Sequence, residues 1–324
     1  MTDVAQVAPG NRLEHYPVTF FATTMGMTGF ALALHAAEAA WGIGGAGSTA
    51  VYYVALVMFA AILLGYGAKA TKYPQAVAEE WKHPVRLSFF PAIAISLLLL
   101  GAASLTRAPA LALPLWGAGT ALQFVLTLAV VSGWIGGRSF QTGHLNPAWF
   151  IPAVGNVIVP IAGVPLGFTE LSWYFMSVGL IFWVVLMTLV INRLIFHDPL
   201  PGRLQPTLVI LIAPPAVGMV AWVRLVGDID IFARILLNAA YLFTLIVAIQ
   251  LPRIVKLPFA MSFWALSFPF AAVTIASFTF AAKMGSTVHH YIGSGLLVVL
   301  AVIIAALVVR TLRAMAAGQV CVPE

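Results

Sequence analysis

The chain has 324 residues, 62% of them hydrophobic and only 8% charged, with 16 Lys and Arg against 10 Asp and Glu for a formal net charge of +6. A soluble domain carries about 25% charged residues, so this composition excludes a water-soluble enzyme and a nucleic-acid-binding protein, and the basic excess calls for no nucleic-acid partner. The single cysteine, Cys321, lies in the last four residues, which leaves no intrachain disulfide and no cysteine-based metal site.

Residues 1–17 contain Asp3, Asn11, Arg12, Glu14 and His15 and lack the basic-then-apolar layout of a cleaved signal. They read as a cytoplasmic tail ahead of a retained first span. A membrane-crossing helix needs about 20 mostly apolar residues. Ten such stretches follow, at 18–40, 50–68, 86–106, 109–134, 148–167, 171–195, 206–225, 231–251, 257–282 and 289–312. They predict an all-α membrane protein with one transmembrane domain over 18–312 and a cytoplasmic C-terminal tail over 313–324. The longest loop, 69–85, is too short to hold a separate domain.

Taken in chain order, the spans alternate in character. The first carries Gly26 and Gly29 among Thr23, Thr24 and Thr28. The third contains Pro91, the fifth Pro152 and Pro160 around Asn156, the seventh Pro214 and Pro215, and the ninth Ser267, Pro269 and Thr274. Among the even spans only Pro114 interrupts, near an end. An interior proline removes a helical hydrogen bond, and in a membrane such a break persists where protein or water, rather than lipid, surrounds it. The parity predicts five helical hairpins, with kinked odd members facing a central passage and even members outside. Small and hydroxylated residues also serve ordinary helix packing in membranes, and parity alone does not separate the two readings.

Ten spans place both termini on one side. Arg12, Lys69, Lys72, Lys82, Arg86, Arg138, Arg193, Arg203, Arg253, Lys256, Arg310 and Arg313 fall there, and Arg107, Arg224, Arg234 and Lys283 fall opposite. The positive-inside rule makes the richer side cytoplasmic.

An intramembrane carboxylate or histidine would mark a cation path or a proton relay, and all ten acids lie in tails, loops or span ends. Glu79 and Glu80 sit in the 69–85 loop, with no catalytic role expected. His289 and His290 stand at the outer end of the last span, and His35 three residues before Glu38, where solvated or capping roles suit them. What remains for a passage is a lining of hydroxyls, amides, glycine backbone and aromatic rings that solvates an anion weakly. The candidates are Thr24, Thr28, Ser88, Ser96, Asn156, Ser267, Thr274 and Ser277. A membrane enzyme would need a clustered nucleophile, base or metal ligand, and the sequence offers none.

Three segments carry a family resemblance. His83-Pro84-Val85-Arg86-Leu87-Ser88-Phe89-Phe90 leads into the third span, Asn146-Pro147-Ala148-Trp149-Phe150-Ile151-Pro152-Ala153-Val154-Gly155-Asn156 into the fifth, and Phe263-Trp264-Ala265-Leu266-Ser267-Phe268-Pro269-Phe270 into the ninth. In this order the chain resembles the tellurite-resistance/dicarboxylate transporter family, which includes the plant guard-cell slow anion channels. The resemblance implies a quasi-fivefold ten-helix bundle with inner helices lining a pore, and a homotrimer with one pore per protomer. It implies passage of small inorganic or carboxylate anions, no cofactor and no metal, and a phenylalanine gate that falls on Phe268. Arg86 would stand at the inner mouth, gathering anions. The short tails resemble those of bacterial members, which implies a bacterial inner membrane. A carrier or efflux pump for C4-dicarboxylates, sulfite or tellurite-type oxyanions stays open beside the channel. Helical phase puts Phe268 about 100° from the stripe of Ser267, Thr274 and Ser277, and Pro269 is expected to bias residue 268 away from helical geometry.

Overall fold

The computed structural model describes residues 12–137 and 140–322, so Asp3, Asn11, Arg138 and Glu324, along with most of the N-terminal tail, lie outside the described residues. The described chain is all-helical. Nine helical stretches are long and apolar enough to cross a membrane: Val18–Trp41, Ala46–Lys72, Arg86–Arg107, Pro109–Gly136, Thr169–Phe196, Gly202–Val226, Ile231–Ile254, Met261–Met284 and Thr287–Ala316. A further apolar stretch, Pro147–Gly163, is shorter.

The α-helices are α1 (Phe21–Trp41), α2 (Ala46–Lys72), α3 (Pro74–Lys82), α4 (Pro91–Arg107), α5 (Pro109–Ser132), α6 (Phe150–Val154), α7 (Val159–Gly163), α8 (Thr169–Phe196), α9 (Ala213–Val226), α10 (Ile231–Ile254), α11 (Ser267–Met284) and α12 (Thr287–Ala316). Three differences from the sequence expectations stand out. The 69–85 segment is not a loop, because α2 runs on to Lys72 and α3 follows at once. The last helix extends beyond 312 to Ala316. The fifth expected span is not one helix, since 3-10 turns at Pro147–Trp149 and Gly155–Ile158 alternate with the five-residue helices α6 and α7.

The alternation read in the sequence has a counterpart in burial. Over their apolar 18-residue cores, the stretches starting at Val18, Arg86, Gly202 and Met261 have 67–78% of residues buried, whereas those starting at Ala46, Pro109, Thr169, Ile231 and Thr287 have 22–28%. Apart from Ile161, every residue of Pro147–Gly163 is buried. Among the buried group, α1 packs on α4 and α11, α9 on α11 and α7, and α4 on α6 and α7. Each is backed by the exposed helix that follows it: α2 on α1, α5 on α4, α8 on α6 and α7, α10 on α9 and α12 on α11.

The prolines do not act as expected. Each buried stretch opens with a 3-10 segment, at Val18–Phe20, Arg86–Phe89, Pro147–Trp149, Gly202–Ile212 and Met261–Leu266. In all but the first, the switch to α-helix then falls at or beside a proline. Pro91 opens α4, Pro160 stands in the first turn of α7, Pro214 and Pro215 in that of α9, and Pro152 and Pro269 are third residues of α6 and α11. A first-turn proline forfeits no intrahelical bond, so these residues mark a change of helix type rather than a kink in a continuous α-helix.

Candidate functional site

The buried stretches meet around a cavity of about 70 Å³. Its lining comes from all five: Ala22 and Met25 of the first, Phe89 and Ile95 of the second, Phe150, Ile151, Val154, Gly155, Val157 and Ile158 of the broken one, Ile210, Ala213, Pro214 and Val217 of the fourth, and Trp264, Ala265, Phe268 and Pro269 of the fifth. Every lining residue is apolar or glycine except Trp264, whose indole N–H points away to donate to Thr311 Oγ1 on α12 at 2.9 Å. A void of this size matches about two water molecules at liquid density, and apolar voids stay dry.

Of the residues anticipated as lining, Pro214, Phe268 and Pro269 border the cavity, and Pro91, Pro152, Pro160, Pro215, Asn156, Ser267 and Thr274 do not. Four of the hydroxyls are engaged by carbonyls three or four residues back in their own stretch. Ser96 donates to the Ala92 carbonyl, Thr274 to Phe270, Ser277 to Val273 and Ser267 to Trp264, each at 2.6–2.7 Å. Thr24, Thr28 and Ser88 are buried with no partner among the described residues. The Asn156 amide donates to Thr127 Oγ1 at 3.0 Å and to the Ala153 carbonyl at 2.7 Å. Phe268 lies within α11, and the residue before it keeps right-handed helical geometry (Ser267 φ −70°, ψ −59°), so no extended residue resets the phase. Ser267, Phe268, Thr274 and Ser277 all lie on the one helix α11, and Phe268 borders the cavity while Ser267 and Thr274 do not.

Phe268 sits against α1 at a glycine. A Cβ on Gly29 would come within 3.2 Å of Phe268 Cδ2, and one on Gly26 within 2.1 Å of Ser267 Oγ. Only the absence of side chains at these two positions lets α1 and α11 close on each other here.

On the side of the termini, a second cavity of about 390 Å³ is lined by Arg86, Arg203, Lys69 and His15 together with Glu14, Glu79 and Glu80, and by Gln319–Val322 of the C-terminal segment. The acids offset much of the cationic field expected of Arg86. Burial pushes the Tyr16 phenol up to about 12, with Cys321 adding to the effect. Burial also raises the Cys321 thiol, against the pull of Arg12 and Lys69. Both groups are therefore neutral at physiological pH.

Glu80 departs from its expected place in a charged loop. It is 3% exposed and its carboxylate binds Lys69 Nζ at 2.8 Å, Tyr66 O–H at 2.9 Å and the Val18 N–H at 3.1 Å. Lys69 also donates to the Tyr16 carbonyl. One ion pair thus ties together α2, α3 and the start of the first buried stretch. Glu38 stands at a span end, as expected. It occupies the last turn of α1 but is buried, accepting from the Ser48 N–H at the start of α2. His289 is held by Ser286 Oγ at 2.7 Å, a contact between side chains that caps no backbone group.

A family model described as SLAC1, voltage-dependent anion channel, matches residues 15–312. The chain belongs to this family. It is 32% identical over 271 residues to an uncharacterized transporter, MJ0762, of Methanocaldococcus jannaschii, covering 76% of this chain and 79% of that one. It is 27% identical over 267 residues to the tellurite resistance protein TehA homolog of Haemophilus influenzae, covering 82% and 81%. Against the S-type anion channel SLAH2 of Arabidopsis thaliana identity is 29% over 232 residues, covering 70% of this chain but 44% of the plant channel. The chain is thus a multi-pass membrane protein of an anion channel and transporter family.

Proposed function

We propose that the chain is a channel for small inorganic or carboxylate anions in a bacterial inner membrane, with Phe268 closing a pore along the axis of the buried stretches. In this reading the stretches form the inner members of five quasi-fivefold hairpins within a single domain over 18–312. Pro91, Pro152, Pro160, Pro214, Pro215 and Pro269 set where each stretch turns from 3-10 to α. Asn156, Ser267 and Thr274 shape the wall from behind it. Arg86 contributes to anion capture at the inner mouth. Both termini face the cytoplasm, and three copies assemble with one pore each. Crosslinking in lipid that yields only monomers rejects the assembly.

The observation that carries the reading is the position of Phe268 in an apolar cavity walled by all five buried stretches. An anion crossing such a wall must shed water, so a ring standing in the path acts as a hydrophobic constriction. The test is anion movement in reconstituted vesicles for wild type and Phe268→Ala, with chloride, nitrate and malate compared. The channel reading expects a small wild-type current that rises strongly in Phe268→Ala.

A carrier for C4-dicarboxylates, sulfite or tellurite-type oxyanions is the second reading, favoured by the names of the archaeal transporter and the Haemophilus tellurite resistance relative. It expects saturable exchange of labelled anion and no current in either protein.

A further inference from the structure

The buried stripe of α5 consists of Ala112, Trp116, the adjacent Gly119 and Thr120, Gln123, Thr127 and Val130, otherwise spaced three or four residues apart on one helical face. Four of these residues carry hydrogen-bond donors; the Thr120 hydroxyl has no partner among the described residues, and the other three point at the broken stretch 147–163. Trp116 Nε1 donates to the Val159 carbonyl at 3.0 Å, Gln123 Nε2 to the Pro152 carbonyl at 3.1 Å, and Thr127 Oγ1 to the same Pro152 carbonyl at 2.8 Å. Asn156 closes the group by donating to Thr127 Oγ1. Gln123 and Thr127 are 0% and 6% exposed, and Gln123 Oε1 has no partner among the described residues.

The placement follows from the break. Winding that alternates between 3-10 and α leaves carbonyls with spare acceptor capacity, and at membrane depth water does not supply the donors. Here an outer helix supplies them through side chains. The segment so held gives the cavity Phe150, Ile151, Val154, Gly155, Val157 and Ile158, more of its wall than any other stretch. Gly155 itself abuts Gln123, since a Cβ there would lie 3.2 Å from Nε2.

We infer that Trp116, Gln123 and Thr127 are positioning residues for anion passage. They fix the winding of the broken segment and through it the width and shape of the cavity wall facing Phe268. The inference rests on the proposed pore and adds to it a specificity determinant on a helix that does not line the cavity. The Pro152 carbonyl accepts from both Gln123 and Thr127, so replacing either donor by an isostere of equal bulk weakens the hold on the segment without emptying its packing.

The test compares Thr127→Val, Gln123→Met and the conservative Thr127→Ser, each in the Phe268→Ala background, in vesicles of fixed lipid composition. The nitrate-to-chloride ratio, by current or tracer flux, is the readout, with thermal stability in detergent measured alongside. The expected result is a ratio shifted by at least about three-fold in Thr127→Val and Gln123→Met, and restored in Thr127→Ser. A purely structural role would lower the yield or the melting temperature and leave the ratio of the surviving protein unchanged, and that outcome overturns the inference. If Gln123→Met does not fold, Thr127→Val, the smaller change, decides. Absence of anion movement in both wild type and Phe268→Ala would overturn the pore reading itself, whereas anion movement with an unaltered ratio would overturn only the role of α5.

Discussion

Gly29 and Phe268 are a matched pair: the missing side chain on α1 makes the space in which the ring of α11 rests, and a Cβ at position 29 would stand 3.2 Å from Cδ2 of that ring. The same Cβ would meet Ala271 Cβ at 3.1 Å. Neither neighbour is a flexible chain end, so an added methyl must move the ring or the helix that carries it.

Gly29→Ala is therefore expected to displace Phe268 and raise anion flux several-fold above wild type, approaching but not reaching Phe268→Ala. A Gly29→Ala flux equal to wild type in reconstituted vesicles would show that the ring is not held against α1. Gly26→Ala is a harsher change, because its Cβ would approach Ser267 Oγ to 2.1 Å and Ser267 Cβ to 2.7 Å. It should separate α1 from α11 and lower the melting temperature outright.

The Lys69–Glu80 pair predicts a different signature. Breaking a buried ion pair from one side leaves an uncompensated charge and costs about 3–5 kcal/mol, whereas neutralising both partners costs much less. Lys69→Met alone should melt well below wild type, and Lys69→Met with Glu80→Gln should recover most of the loss. Equal melting of the single and double variants would mean that the pair is solvated.

Asp230 caps the start of α10, accepting from the Ala233 N–H at 2.8 Å and from Trp222 Nε1 at 2.9 Å. These bonds hold its carboxyl below the ordinary value of 3.8. A depressed folded-state value means stability present above the unfolded value and lost as pH falls through the folded one. The melting temperature of Asp230→Ala should lie below wild type by a constant margin from pH 7 to pH 5, with the margin narrowing below about pH 3.8. A margin that widens on acidification would contradict the capping geometry.

Salt dependence tests the vestibule. Focusing of anions by basic residues weakens as salt rises. Conductance of wild type should therefore fall further below linear scaling at high salt than that of Arg86→Ala. With Glu14, Glu79 and Glu80 in the same lining the difference should be modest. Identical salt responses would remove Arg86 from anion capture.

Much of the architecture was legible because proline and glycine placement is a backbone property, and backbone properties survive into the fold. The alternation of Pro91, Pro152, Pro160, Pro214, Pro215 and Pro269 with plain apolar spans anticipates which stretches are buried. The winding was not legible, since nothing in the residues Gly202–Ile212 distinguishes a long 3-10 run from an α-helix of the same length. The expected hydroxyl lining failed for a local reason: Ser96, Thr274 and Ser277 each reach the carbonyl four residues back, a bond available to any helical Ser or Thr. Gln123 and Thr127 were overlooked although a signal existed. A glutamine and a threonine one turn apart in a mostly apolar span, beside a segment bearing Pro147, Pro152 and Pro160, are the donors such a segment lacks. Glu80 was passed over because its partner Lys69 lies across the break between α2 and α3, where no helical spacing rule applies.

The 3-10 segments have a metric consequence. A 3-10 turn climbs about 2.0 Å per residue against about 1.5 Å for an α-helix. The 11 residues Gly202–Ile212 are therefore about 5 Å longer than the same residues wound as α. All five buried stretches hold this extra reach at the same end, the one nearer the termini. The reach is unequal: 3 or 4 residues at Val18–Phe20, Arg86–Phe89 and Pro147–Trp149, 6 at Met261–Leu266 and 11 at Gly202–Ile212, so the fourth stretch alone enters the bundle as a long, thin stem.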